Sequence, residues 1–553
     1  MAVQRPGANR VWRRNRISLA GAVTACLLAA CGSNQGVLLP NERSDAVDGS
    51  QFRLLARVAH LSDAQILDEE SPARLTFANA LIPDSWRPQE AFSTQLLDGT
   101  IRAVNRYHES GTTVDFVVHT GDGVDNCQSN ELDWFLTAFD GGAIDPRSGP
   151  DDRSPDQSGA PELDPHRPFV AEGLYRHGVH GDLPDIPWYA VMGNHEHFAV
   201  GVFPVVPRLD GSLVSPLPLP DRVGFFLPVE LDPLASVTYM LISPAHPGPP
   251  SGLAFPIYIW PNADRAFVDM RSGLQAYGDT ATSPAGHGFN PSSQRRWYSV
   301  SPVPGVRLIG LDSSDPVAPD PRRVYSEGSI GLAQILFLRN ELESACARDE
   351  KVIVLTHHPS ADLKIDYGSA ASPDSWRTLL RSFPCVTLHL VGHTHRNRVW
   401  DQGQYLEIET SSILDYPQEA RMIEIWESDD ELELRYWMFS HLDECGDGIT
   451  CRDASSTSES KDDGPADDGA DPPPPADPLL DMRRFAYELA RQDAGFSGST
   501  TRLRMIEEAV IEPDCHAPFD EALVESRCAW LRGTESDRQG VQRRPRRHAV
   551  EAP

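Results

Sequence analysis

The sequence predicts an α/β fold, and three observations carry that reading. Short apolar runs alternate with amphipathic stretches from residue 52 onward. Five short segments rich in Asp, Asn and His each follow such a run, as loops do at the C-terminal ends of strands in open α/β sheets. Apolar residues make up 40% of the 553 and charged residues 23%, which is ordinary globular usage and enough for a large core.

Residues 52–60 read as a strand. Residues 92–108 read as a helix with Leu97, Ile101 and Val104 on one face. Strands follow at 114–119 and 188–192, separated by an Asp/Pro-rich surface loop at 141–168. Residues 200–290 are Pro-rich with few clear periods and read as a large insertion. A strand at 306–311, a helix at 332–342 and strands at 352–356 and 386–391 resume the alternation. Residues 405–409, 421–426 and 431–439 read as meandering strands, the last with Leu432, Leu434, Tyr436 and Met438 on one face. Residues 455–477 are an acidic, Pro-rich linker. Residues 478–553 read as a small helical segment whose basic tail (QRRPRRH) is a solvated end.

The balance of 49 Lys and Arg against 80 Asp and Glu gives a net charge of −31. Such a surface does not coat nucleic acid, because a polyanion needs the opposite sign. A small phosphorylated substrate would need a local positive centre, and bound metal ions supply one.

Residues 1–16 hold five Arg and no acid, and residues 17–30 (ISLAGAVTACLLAA) are apolar. That run is shorter than the roughly 20 residues of a membrane-spanning helix and reads as a signal-peptide core. It ends in Leu28-Ala29-Ala30-Cys31-Gly32, which looks like a bacterial lipobox with Cys31 as the lipidated residue. An ordinary cleaved signal with a chance cysteine is the plainer alternative. The chain is thus expected to be exported and lipid-anchored to the cell envelope, on the outer-membrane or periplasmic side. Residues 32–50 would be a flexible tether. Export permits disulfides. Cys445/Cys451 and Cys515/Cys528 are plausible pairs, Cys346/Cys385 a possible one, and Cys127 is left as a buried or semi-buried thiol.

The five strand-end segments are Ser62-Asp63-Ala64-Gln65, Gly121-Asp122-Gly123-Val124-Asp125-Asn126, Gly193-Asn194-His195-Glu196, Thr356-His357-His358-Pro359 and Gly392-His393-Thr394-His395. Their residue types suit borderline divalent metals. In order and spacing the pattern resembles the calcineurin-like metallophosphoesterase superfamily, whose blocks run D-x-H, G-D-x-x-(D/N), G-N-H-(E/D), H and G-H-x-H. Four of the five blocks stand unchanged, and the resemblance spans about residues 52–440. It implies a four-layer α-β-β-α sandwich over 51–442, interrupted by the 200–290 insertion.

The resemblance also implies roles. Asp122 would bridge two metal ions. One ion would also take Asp63, Gln65 and His395; the other would take Asn194, His357 and His393. His195 would face the scissile phosphate as the catalytic imidazole. The cofactors would be two divalent ions, Mn, Zn or Fe, and a hydroxide bridging them would attack a phosphomonoester or phosphodiester. Glu196, by adjacency, would orient His195. Two departures stand out. Gln65 occupies the usual histidine position of the first block and is a weaker, neutral ligand. Asp125 stands where purple acid phosphatases carry Tyr, so a purple iron(III) centre is not expected.

Blander readings apply to several neighbours. His358 reads as a structural companion of His357, and His60 as strand core or rim. Asp125 and Asn126 are either partners of ligands or loop caps. Trp297, Tyr298 and Asp312 could line the pocket, with core packing favoured for the aromatics. Two other functions remain: a non-catalytic surface lipoprotein that uses the same fold for binding, and cleavage of another ester or an anhydride. The oligomeric state has no sequence signature.

Overall fold

Alternation of side chains along the strands builds two six-stranded sheets. The computed structural model describes residues 52–68, 70–71, 87–149, 163–207, 213–219, 222–227, 262–315, 325–442, 479–496 and 530–546. The signal segment with Cys31, the tether, the 455–477 linker and Cys445, Cys451, Cys515 and Cys528 lie outside them.

The first sheet contains β1 (Arg53–Leu61), β2 (Phe116–His119) and β3 (Trp188–Ala190), which run parallel. In chain order the second sheet contains β4 (Tyr298–Val300), β5 (Val306–Gly310), β6 (Lys351–Leu355), β7 (Val386–Val391), β8 (Arg398–Asp401) and β9 (Leu406–Glu409). The first sheet is completed by β10 (Glu419–Glu427), β11 (Glu431–Ser440) and β12 (Gly540–Pro545), giving the order β12-β11-β10-β1-β2-β3. The second has the order β4-β5-β6-β7-β9-β8, with β5, β6, β7 and β9 parallel.

Helices connect the parallel strands. They are α1 (Ser93–Glu109) between β1 and β2, α2 (Ser129–Asp140) between β2 and β3, α3 (Met270–Gly278) in the insertion, α4 (Leu332–Ala347) between β5 and β6, and α5 (Pro373–Arg381) between β6 and β7. A last long helix, α6 (Leu480–Phe496), lays Met482, Ala486 and Leu489 into the main core and sets Phe485 edge-on against Phe92.

The burial pattern resolves the layers. On β6, Ile353 and Leu355 join the core that also holds Val58 and Ile423 of the first sheet. Val352 and Val354 point the other way, onto Leu338 and Leu342 of α4 and Trp376 and Leu380 of α5. Helices therefore cover the outer face of the second sheet while its inner face meets the first. This is the expected α/β sandwich, and no helix among the described residues is long and apolar enough to cross a membrane.

Two helices carry sequence signals that the strand-and-helix reading above leaves out. In α2, Leu132, Phe135, Leu136 and Phe139 follow helical spacing. In α5, Ser372 caps the first turn ahead of Pro373 and forms a capping box with Ser375. The basic tail differs from its reading as a solvated end. Residues 540–545 pair antiparallel with β11, and Arg543, Arg544 and Arg546 bond Glu433, Asp401 and Asp349. The alternation of outward charges there hides an edge strand.

The part of the insertion nearest the core is fixed by aromatic stacking. Trp188 of β3 is sandwiched between Phe139, with centroids 4.1 Å apart, and His287 at 3.7 Å. Cys346 at the end of α4 is disulfide-bonded to Cys385 before β7, while Cys127 is a buried free thiol whose pKa burial pushes up to about 12.

Two outcomes follow. The disulfide closes a loop of sequence separation 39, so a Cys346→Ala/Cys385→Ala variant should lose about 4 kcal/mol in urea unfolding on the chain-entropy estimate. Burial holds His287 at a pKa of about 4. Its unfolded form binds a proton first, so stability should fall as pH drops from 6.5 toward 4, by up to about 3 kcal/mol. Denaturant midpoints across that window should show a shallower acid limb for His287→Gln.

Candidate active site

All five Asp/Asn/His segments leave the C-terminal ends of parallel strands, three in the first sheet and two in the second. The two sheets bring those ends to one seam. Loop backbones continue the strand pairing: Asp63 N donates to Gly121 O, Gln65 N to Asp122 O and Ile66 N to Gly123 O. Across the seam, His357 Nδ1 donates to Thr120 O at 2.8 Å, and His393 N donates to both carboxylate oxygens of Asp63.

The turns are tight enough to force unusual backbone. Asp63 (φ 51°), Gln65 (φ 41°), Asp122 (φ 54°), His393 (φ 77°) and His395 (φ 58°) all adopt the left-handed region. For non-glycine residues each such conformation costs on the order of 1 kcal/mol or more and persists only where the surroundings impose it. Gly392 is required because a Cβ there would overlap Ser62 Oγ and Asp63 Oδ2, and Gly193 because a Cβ would overlap Asp122 Oδ1.

The ligand atoms of Asp63, Asp122 and His357 lie within 4.8 Å of one another, and those of His357, His358 and His393 form an overlapping group. His357 Nε2 is 3.0 Å from Asp122 Oδ2, and His393 Nδ1 is 3.2 Å from His357 Nε2. Burial works against a charge on His357, but Asp122 outweighs it and pushes the pKa up to about 9. Asp122 therefore strongly favours a positive partner at this spot. Burial, then His357, pushes His393 down to about 3, which keeps one of its ring nitrogens unprotonated. His395 Nδ1 bonds Asp415 at 2.6 Å and turns Nε2 toward Asp63 at 3.4 Å.

Asn194 adds the clearest sign. Its Nδ2 donates to Gly201 O at 2.9 Å, while its buried Oδ1 has no hydrogen-bond partner. A buried acceptor without a donor is costly and calls for a cation or water. The donor set, with imidazole tautomers fixed by Thr120 O and Asp415, fits a divalent cation.

His195 is held differently. Its Nδ1 donates to Asp125 O at 2.7 Å, its backbone N donates to Asp122 Oδ1, and its side chain keeps 14% exposure. Gln65 lies beside it, with Nε2 3.3 Å from His195 Nε2 and Oε1 accepting from Arg87 Nη1 at 2.5 Å. Glu196 does not orient His195. Its carboxylate accepts from the backbone N–H groups of Asp122, Gly123 and Gly193, and so clamps two ligand loops together.

The bland readings also resolve. His358 has both ring nitrogens engaged, by Ser313 Oγ and Ser326 O. His60 is buried between Thr120 and Thr410. Asp125 supports His195, whereas Asn126 bonds Glu131. Tyr298 is core and donates to Ala190 O. Asp312 is buried against His197 and Arg296. Sequence reading missed Arg87, Asp415 and His197, none of which lies in a signature position.

Glu196→Gln should keep the side chain's shape but set an N–H₂ group against backbone donors. Divalent-metal affinity should drop ten- to a hundredfold by titration calorimetry, the range seen when groups behind metal ligands are changed. Unaltered affinity would remove Glu196 from the site's support.

Comparison with known proteins gives one family match. Residues 56–265 match the family model described as calcineurin-like phosphoesterase. The match includes Asp63, Gln65, Asp122, Asn194 and His195 and stops before His357, His393 and His395. Solved structures that resemble the chain include a dimetal phosphatase from Danio rerio, at 14% identity over 70% of this chain and 99% of that one, TM-score 0.34. Another is GAP50, the anchor in the inner membrane complex of Plasmodium, at 12% identity over 70% and 85%, TM-score 0.28. No curated protein matches the sequence. That family implies divalent metal ions and small phosphorylated substrates, and over residues 56–265 this chain is similar to the calcineurin-like phosphoesterases.

Proposed function

We propose that the protein hydrolyses a phosphomonoester or phosphodiester with two divalent ions, Mn, Zn or Fe. The observation that carries this reading is the convergence of Asp63, Asp122, His357 and His393, together with the buried, orphaned Oδ1 of Asn194. Asp63, Gln65 and His395 would complete one ion's shell and Asn194, His357 and His393 the other's, with Asp122 shared. Ions bound there supply Lewis-acid stabilisation of phosphoryl charge and a nucleophilic water of lowered pKa.

The chain's own residues do the rest. His195 donates its Nδ1 proton to Asp125 O, so Nε2, beside Gln65, is the ring nitrogen that can take up and give up a second proton. From there it donates to the leaving oxygen or hydrogen-bonds a phosphoryl oxygen. Glu196 fixes the spacing of the Asp122 and Asn194 loops, so the ligands need no rearrangement when substrate arrives.

The purified chain, loaded with Mn²⁺ or Zn²⁺, should turn over p-nitrophenyl phosphate or its bis ester. Asp122→Asn should lose metal occupancy and at least about a hundredfold in kcat, in line with loss of a principal electrostatic group. Wild-type protein that binds no metal and shows no turnover would favour the non-catalytic binding protein instead.

The same proposal places the protein outside the cytoplasm, held to the cell envelope by lipid on Cys31. The Cys346–Cys385 disulfide supports an oxidising compartment. Cys31→Ser should move the protein from the membrane fraction to the soluble fraction, and retention on the membrane would overturn the anchor.

A further inference from the structure

Arg87 lies outside every signature segment, two residues before the short helical turn Glu90–Phe92 and its cap. Its side chain is 6% exposed. Nη1 donates to Gln65 Oε1 at 2.5 Å and to Asp415 Oδ2 at 3.3 Å, and Nη2 donates to Asp125 Oδ1 at 2.9 Å. Glu90 Oε2 lies 3.5 Å from Nε.

Each of the first three acceptors reaches an imidazole of the site. Gln65 Nε2 meets His195 Nε2 at 3.3 Å, and Asp125 O receives His195 Nδ1 at 2.7 Å. Asp415 Oδ2 receives His395 Nδ1 at 2.6 Å. One guanidinium thus stands behind the catalytic imidazole and behind a metal-ligating one. A guanidinium can do this because its donors leave a rigid plane at fixed angles, whereas a lysine ammonium is a point charge on a flexible stem. Its charge also offsets Asp125 and Asp415.

We propose that Arg87 is a positioning residue that sets His195 and His395 in register and turns the Gln65 carbonyl oxygen. Acting through Gln65, Asp125 and Asp415, it couples the first-block glutamine to both imidazoles. A glutamine in place of histidine brings no ring to hold its own orientation, and Arg87 supplies that orientation by pinning Oε1. One of the two lone pairs of Oε1 remains for a cation. This role rests on the metallophosphoesterase reading of the site.

The test compares wild type, Arg87→Lys, Arg87→Gln and Asp415→Asn in the full chain with three readouts. Mn²⁺ calorimetry gives stoichiometry and affinity, p-nitrophenyl phosphate kinetics gives kcat and KM separately, and histidine-labelled NMR of metal-free protein follows the Nδ1–H signals of His195 and His395. Arg87→Gln should weaken one Mn²⁺ site ten- to a hundredfold and lower kcat with KM little changed. It should also lose the slow-exchanging Nδ1–H signals. Arg87→Lys should restore charge and fold but not these signals. Asp415→Asn should weaken the same Mn²⁺ site and lose the His395 signal while sparing that of His195. If Arg87→Gln does not fold, Asp415→Asn decides the His395 branch. Wild-type Mn²⁺ affinity, kcat and imidazole signals in folded Arg87→Gln, or in Asp415→Asn where only that variant folds, would overturn the proposal. A wild type that binds no Mn²⁺ but whose imidazole signals depend on Arg87 would sink the metal reading while upholding the positioning role.

Discussion

Two carboxylates that repel one another, Asp63 and Asp122, are buried together where the sheets meet, and the site is arranged around that cost. Burial raises the free energy of each charge, and nearby positive or hydrogen-bonding groups must offset it. Asp63 receives Ser62 Oγ and the backbone N–H of His393. Asp122 receives the backbone N–H of His195 and faces His357. Five left-handed residues deliver these groups to one place, so the loops hold a conformation the chain would not choose unaided. A cation is the natural counterweight to such an arrangement, and the chemistry proposed for the protein follows from the same need.

The labour is divided between the sheets. Acid and amide donors come from the first, as Asp63, Gln65, Asp122 and Asn194, while His357, His393 and His395 come from the second. Neither sheet supplies all of the candidate ligands alone. The family match stops at residue 265, so it covers the first-sheet candidates together with His195; His357, His393 and His395 stand on the seam geometry. Packing of apolar faces such as Val58 against Ile353 and Leu355 therefore also assembles the site.

The sequence revealed much of this because ligands in strand-end loops leave local marks: a short apolar run, a glycine, then Asp, Asn or His. Asp122, Asn194 and His393 were legible for that reason. Arg87 was not, since the partners that define it lie at 65, 125 and 415 and no spacing rule joins them. Glu196 was seen but misread, because adjacency to His195 said nothing about four residues' worth of backbone folded around its carboxylate. Strand β12 was hidden by arginines that look solvated in one dimension and meet Glu433 and Asp401 in three.

That last strand has a consequence for how the molecule comes into being. Its hydrogen-bonding neighbour β11 ends at Ser440, and the residues that close the sheet edge begin at Gly540. A ribosome that has delivered every metal-ligand candidate and then β11, which ends at Ser440, has still to make some 100 residues before the covering strand begins at Gly540. During that interval β11 offers an open row of backbone donors and acceptors to any passing strand. The arginines of the tail then act as a late latch, so nascent chains cut short before residue 540 should be the ones that aggregate.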